Sequence, residues 1–144
     1  MATPNNLQRF ITAQETTWQD ALIEIQQGRK RGHWMWFIFP QIHGLGFSST
    51  SIFYAIKNKR EAEDFLNHPV LGSRLIQISK ELLNMETNDA PKIFGSPDDQ
   101  KLRSSMTLFS SLDNADNVFK LVLDKFFDGK KDAITITLMD NNNF

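Results

Sequence analysis

The ten residues Lys130–Met139, "KKDAITITLM", read two ways, and the choice sets the fold class. From Ile134 to Leu138 apolar and polar residues alternate, the period of a strand with one buried face. Asp132, however, stands where a helix N-cap belongs, with a carboxylate able to accept from the first free backbone N–H groups. The other strand-like run is "WMWFIF", Trp34–Phe39, aromatic and β-branched enough to pair with it. A lone two-stranded ribbon is marginal in water. The expected fold is therefore all-α: a single compact multi-helix domain over residues 1–139, followed by a flexible polar tail at 140–144. The alternative is an α+β fold with a short ribbon from 34–39 and 134–138.

Elsewhere the helical period of apolar residues dominates. Leu7, Ile11, Trp18, Leu22 and Ile25 share a face, with Asn5 and Asn6 as cap candidates and Gly28 as a stop. Thr16 and Thr17 can divide this stretch in two. Ser48 to Ser51 can cap a segment carrying Ile52, Phe53 and Ile56, and "NKREAEDFL" offers a short helix closed by "NHP". Pro69 suits the entry to a helix whose stripe is Leu71, Leu75, Ile78, Leu82 and Met85. Leu102, Met106, Phe109 and Leu112 mark another, and Ala115, Phe119, Val122 and Phe126 one more, ended by Gly129.

A chain of 144 residues is the size of one domain. Its 40% hydrophobic and 23% charged residues are globular rather than disordered. The net charge of −1 gives no global drive toward nucleic acid or an anionic membrane. The absence of cysteine excludes disulfides, thiolate nucleophiles and zinc–thiolate sites. The three histidines include no i, i+4 pair, which argues against a zinc site, and nothing identifies a cofactor. No apolar run spans a bilayer and "MATPNNLQRF" has no hydrophobic signal core, so the expected location is cytoplasmic.

The strings "RKRGHWMWFIFPQIHGLGFSS", "AEDFLNHPVLGSRL", "IFGSPDDQKLRSSMTLF" and "FKLVLDKFFDGKKDAITITL" closely resemble the uncharacterised bacterial domain-of-unknown-function family 1810. The resemblance covers the chain from about Leu7 to Leu138. It implies one small all-helical domain and brings no established activity. The calpastatin label that some members carry does not suit this chain, because calpastatin-type inhibitors are long and disordered whereas this composition is globular.

The candidate chemistry gathers in two strings. In "KRGHWMWFIFPQIHGLG" (Lys30–Gly46), His33 beside Arg29, Lys30, Arg31, Trp34 and Trp36 is a candidate general base, or a helix-end residue satisfying a carbonyl. On a helix Trp36 and Phe39 share one face while Trp34 and Phe37 share another, so the segment is packed on all sides. One indole could still face a cavity and stack on a ligand, and Trp34, nearest the cations, is the expected one. Gln41 supplies an amide for a buried partner or for a ligand. Gly44 and Gly46 followed by serines form a weak anion-loop signal, lacking the third glycine of the dinucleotide fingerprint.

In "GSPDDQKLRSSMTLF" (Gly95–Phe109), Ser96 or Asp98 can cap a helix, with Pro97 at its start. Lys101, Arg103, Ser104 and Ser105 on its flank could hold a phosphate or carboxylate. Two adjacent mid-helix serines are otherwise poor helix choices. Alternatively Asp98 or Asp99 pairs with Lys101 or Arg103. Two functions are carried forward. One is the binding, and possible turnover, of a nucleotide-like or other anionic small molecule, with His33 moving the proton. The other is a non-catalytic helical interaction module with a basic–aromatic partner surface. The first requires the aromatic strip and the serine-bearing helix to meet across a hollow.

Overall fold

The computed structural model describes residues 6–144, so the cap candidate Asn5 lies outside the described residues. Among them ten helices follow in order: α1 (Gln8–Glu15), α2 (Trp18–Gln26), α3 (Met35–Ile38), α4 (Ser49–Tyr54), α5 (Lys59–Asn67), α6 (Leu71–Leu83), α7 (Ala90–Phe94), α8 (Asp98–Ser110), α9 (Val118–Phe127) and α10 (Ala133–Asn141). The fold is all-α. The α+β alternative fails at Asp132, whose Oδ2 accepts from the Thr135 N–H at 2.9 Å and from its hydroxyl at 2.7 Å. Those bonds start a helix. The alternating pattern proves irrelevant to burial: α10 packs Thr135 and Met139, four residues apart, and leaves Ile134 62% exposed. α10 also runs into the expected tail as far as Asn141, and Phe144 packs against the core.

α8 is the central element, packed by α5, α7, α9 and α10. Leu102, Met106, Leu108 and Phe109 are buried on it, and so are Ser104, Ser105 and Thr107. Around it, α6 packs on α2, α5 and α9. Lys125 of α9 donates to the carbonyls of Leu82 (2.9 Å), Leu83 (3.1 Å) and Met85, satisfying the free oxygens at the end of α6. His68 accepts from the N–H groups of Val70 and Leu71 through Nδ1, the helix-entry role its place before Pro69 suggests.

Trp34–Phe39 is indeed packed on nearly every side. α3 is a single turn, and of the six residues only Trp36 is not buried. Gln14 of α1 is buried and donates to the Phe37 carbonyl at 2.8 Å, tying α1 to α3. The expected Ile52, Phe53, Ile56 stripe does not form. α4 stops at Tyr54 with no buried residue, and Ile56 instead pairs with Ile42 in an isolated parallel bridge. His43 donates to the Ile56 carbonyl and Ile56 to that of Gln41, both at 2.8 Å. This bridge closes the segment from 42 to 56 into a loop that holds α4 against α3.

Candidate functional site

The entry to α3 is fixed by one carboxylate. Glu24 Oε1, on α2, accepts from the backbone N–H of Arg31 (2.6 Å) and Gly32 (2.8 Å) and from the indole N–H of Trp34 (3.0 Å). Burial pushes the Glu24 carboxyl up, but the donors from Gly32, Arg31 and Trp34 and the charge of Lys30 outweigh it, and the group lies below its ordinary value.

Beyond this clamp, the aromatic strip meets the start of α8. Asp98 sits between two ammonium groups, Lys30 at 2.9 Å and Lys101 at 3.3 Å. Lys30 lies over the ring of Trp34 at 5.0 Å and Lys101 over that of Trp36 at 4.9 Å. The Lys101–Trp36 contact and the carboxylate that Lys30 and Lys101 share therefore join segments some seventy residues apart. The contact is direct, so the expected hollow between the strip and α8 does not form; the open space beside Trp36 lies instead on the side of α4, with no α8 residue in its lining.

There Trp36 lines two spaces. One is a small hollow of about 10 Å³, with Gln41, Leu45, Ser51 and Tyr54 around it. It has room for about one water molecule. The other is an open groove of about 520 Å³ lined by His33, Trp36, Phe37, Ser49, Thr50, Phe53 and Tyr54. The indole N–H of Trp36 is buried and has no acceptor among the described residues. The groove thus combines ring faces, two hydroxyls and an imidazole, with Lys101 on the ring of its central indole.

A family model described as "Protein of unknown function (DUF1810)" matches residues 4–139. The chain belongs to this family. The chain is also similar to a solved structure, that of the conserved hypothetical protein Rv1873 from Mycobacterium tuberculosis, at 40% identity and a TM-score of 0.93. That likeness covers 96% of this chain and 99% of the other. No curated protein matches. Neither description names an activity or a ligand.

Within this member of the family, the residues singled out by sequence divide into two groups. Trp36 lines both the groove and the hollow, His33 the groove and Gln41 the hollow, and Lys101 joins them only through its contact with the Trp36 ring. The other four do not join them. Trp34 is completely buried, its N–H held by Glu24, so the ring that meets solvent is Trp36 and not the one nearest the cations. Arg103 points to the end of α9, donating to the carbonyls of Lys130 (2.8 Å) and Lys131 (3.0 Å). Ser104 donates back to the Gln100 carbonyl at 3.1 Å, and Ser105 is fully buried with an unpartnered hydroxyl. Neither Ser96 nor Asp98 caps α8; Pro97 stands at the N-cap and Asp98 bridges the lysines instead.

Sequence reasoning missed Ser49, Thr50, Phe53 and Tyr54. The serines and threonine read as a helix start, and Ser48 does cap α4 by accepting from the Ser51 N–H at 3.1 Å. Phe53 read as a core residue, and an aromatic at helical spacing carries no mark of exposure.

Across the described residues, no three or more His, Asp or Glu side chains cluster as metal ligands would, and no helix is long and apolar enough to cross a membrane.

Proposed function

We propose that the chain binds a small planar anion of nucleotide-like chemistry in the groove beside Trp36. The observation that carries this reading is the environment of that indole: partly exposed, capped by an ammonium at 4.9 Å, and holding a buried N–H with no acceptor. Phe53 and Tyr54 offer further faces for a ring and Ser49 and Thr50 offer hydroxyls, while Lys101, paired with Asp98 at 3.3 Å, reaches the groove only through the Trp36 ring it lies over. If the ligand is turned over, His33 is the side chain placed to take or give a proton. Arg103, Ser104, Ser105 and Trp34 lie outside the groove's lining and take no part in this reading.

Tryptophan fluorescence and thermal shift with adenosine monophosphate, phenyl phosphate and benzoate test this directly. Trp18 and Trp34 are buried, so a ligand in the groove should quench Trp36 and raise the melting temperature. Trp36→Phe should remove the quenching, and Lys101→Ala should weaken the charged ligands. Stabilisation by none of the three compounds, or stabilisation that survives Trp36→Phe unchanged, refutes the reading.

One observation favours the second reading, an interaction module. Phe47 is 87% exposed, and Ile52 and Phe53 of the same segment are about half exposed. An apolar cluster of this kind marks partner surfaces. Phe47→Ser separates the two: it should abolish partner binding while leaving Trp36 quenching intact.

A further inference from the structure

We infer that the chain carries a second site, a cleft beside Lys30 that binds the phosphate group of a small molecule. The cleft, of about 570 Å³, lies between the turn after α2 and helix α7 and is lined by Gly28, Arg29, Lys30, Lys92, Phe94 and Gly95, among others. Its two walls are fixed to each other, since the Lys30 N–H donates to the Ile93 carbonyl at 2.7 Å. The backbone of Arg29 is held as well, its N–H donating to the Glu24 carbonyl at 3.0 Å. A rigid frame therefore presents cations from both sides.

The charges on that frame are not balanced. Lys30 is matched by Asp98 at 2.9 Å and its side chain is only 8% exposed, so it forms the floor. Arg29 and Lys92 are exposed, and among the described residues no carboxylate lies within ion-pair distance of either. Asp89, the nearest acid in sequence to Lys92, turns its Oδ1 to the Lys92 backbone N–H at 3.2 Å and caps α7. No acidic residue lines the cleft. In a chain of net charge −1, two unpaired cations facing one concavity create a local field that an anion relieves.

The charge count selects the head group. A carboxylate carries one negative charge, whereas a phosphate monoester carries nearly two and offers three acceptor oxygens, enough for a guanidinium fork and an ammonium together. The remaining wall is apolar, with Pro91, Ile93 and Phe94. That apolar wall beside the cations suits the organic part of a phosphorylated molecule. This site is separate from the Trp36 groove, and neither reading depends on the other.

The test is an ¹⁵N NMR titration of the full chain with inorganic pyrophosphate, which has no ring to stack on Trp36, and with phenyl phosphate and benzoate. Saturable shifts should appear at the amides of Gly28–Lys30 and Lys92–Gly95 and weaken as salt rises. Phenyl phosphate should bind better than benzoate at these amides. Arg29→Ala and Lys92→Ala should each weaken binding about tenfold, and the double variant should abolish it. Both side chains are exposed and unpaired, so these variants should keep the wild-type spectrum elsewhere. Trp36→Phe should change nothing in the cleft. Absence of saturable shifts at low salt, their persistence in the double variant, or a preference for benzoate over phenyl phosphate overturns the proposal.

Discussion

Glu24 is the residue on which the aromatic strip turns, because a single oxygen accepts three N–H groups at the entry to α3. Hydrogen bonds to an ionised acceptor are roughly twice as strong as neutral ones. Glu24→Gln should therefore cost about 1 kcal/mol at pH 7. The sign of the pH dependence follows from the direction of its shift. Its folded-state value lies below the ordinary 4.5, so the stabilisation is complete above about pH 4.5 and is lost as pH falls through the lower, folded value. Urea denaturation of wild type and Glu24→Gln at pH 7 and pH 3 should show a gap that closes at the acid end. A constant gap would mean that charge is not what the clamp uses.

At the scale of elements, the α5–α6 corner leaves no room for a side chain. Gly72, in the first turn of α6, lies against the end of α5, where any Cβ would collide with the Leu66 carbonyl oxygen. Backbone cannot move aside as a flexible side chain can, so Gly72→Ala must separate the two helices. A loss of about 3 kcal/mol is expected, seen as a lower urea midpoint. The same scale explains why sequence reading worked for α10 and failed for α4. Asp132 and Thr135 settle α10 within four residues. α4 has no buried face, and its exit is set by the Ile42–Ile56 bridge, which no local pattern announces. Ser104 and Ser105 misled for a related reason. A hydroxyl mid-helix can bond its own backbone, as Ser104 does, without needing a ligand.

Across the whole molecule, the groove depends on a buried ion pair between α1 and α5 that anchors the segment carrying its rings. Arg9 of α1 meets Glu61 of α5 at 2.9 Å, with side chains 6% and 0% exposed. The same guanidinium donates to the carbonyls of Phe53 (2.8 Å) and Ala55 (2.9 Å) and so holds the end of α4. Removing Arg9 leaves the buried Glu61 carboxylate only the half-exposed Lys57 ammonium, 3.7 Å away. Arg9→Met should cost about 3 kcal/mol, and Arg9→Met with Glu61→Leu should recover part of it. A double-mutant cycle by chemical denaturation measures this coupling; additive losses would show that the pair contributes nothing as a pair.

The sequence by itself determined the helical class, most helix positions and the interior character of Trp34–Phe39, because caps and the 3.6-residue period are local properties. It also placed His33, Trp36, Gln41 and Lys101 among the candidates. Which indole meets solvent was decided only by tertiary structure, since it depends on Glu24 reaching Trp34 and on Lys101 settling over Trp36. The same holds for the basic cleft. Arg29 and Lys92 are ordinary surface cations until the backbone bond from Lys30 to Ile93 brings their segments face to face. Exposure and charge pairing arise between segments distant in the chain, and no periodicity within one segment records them.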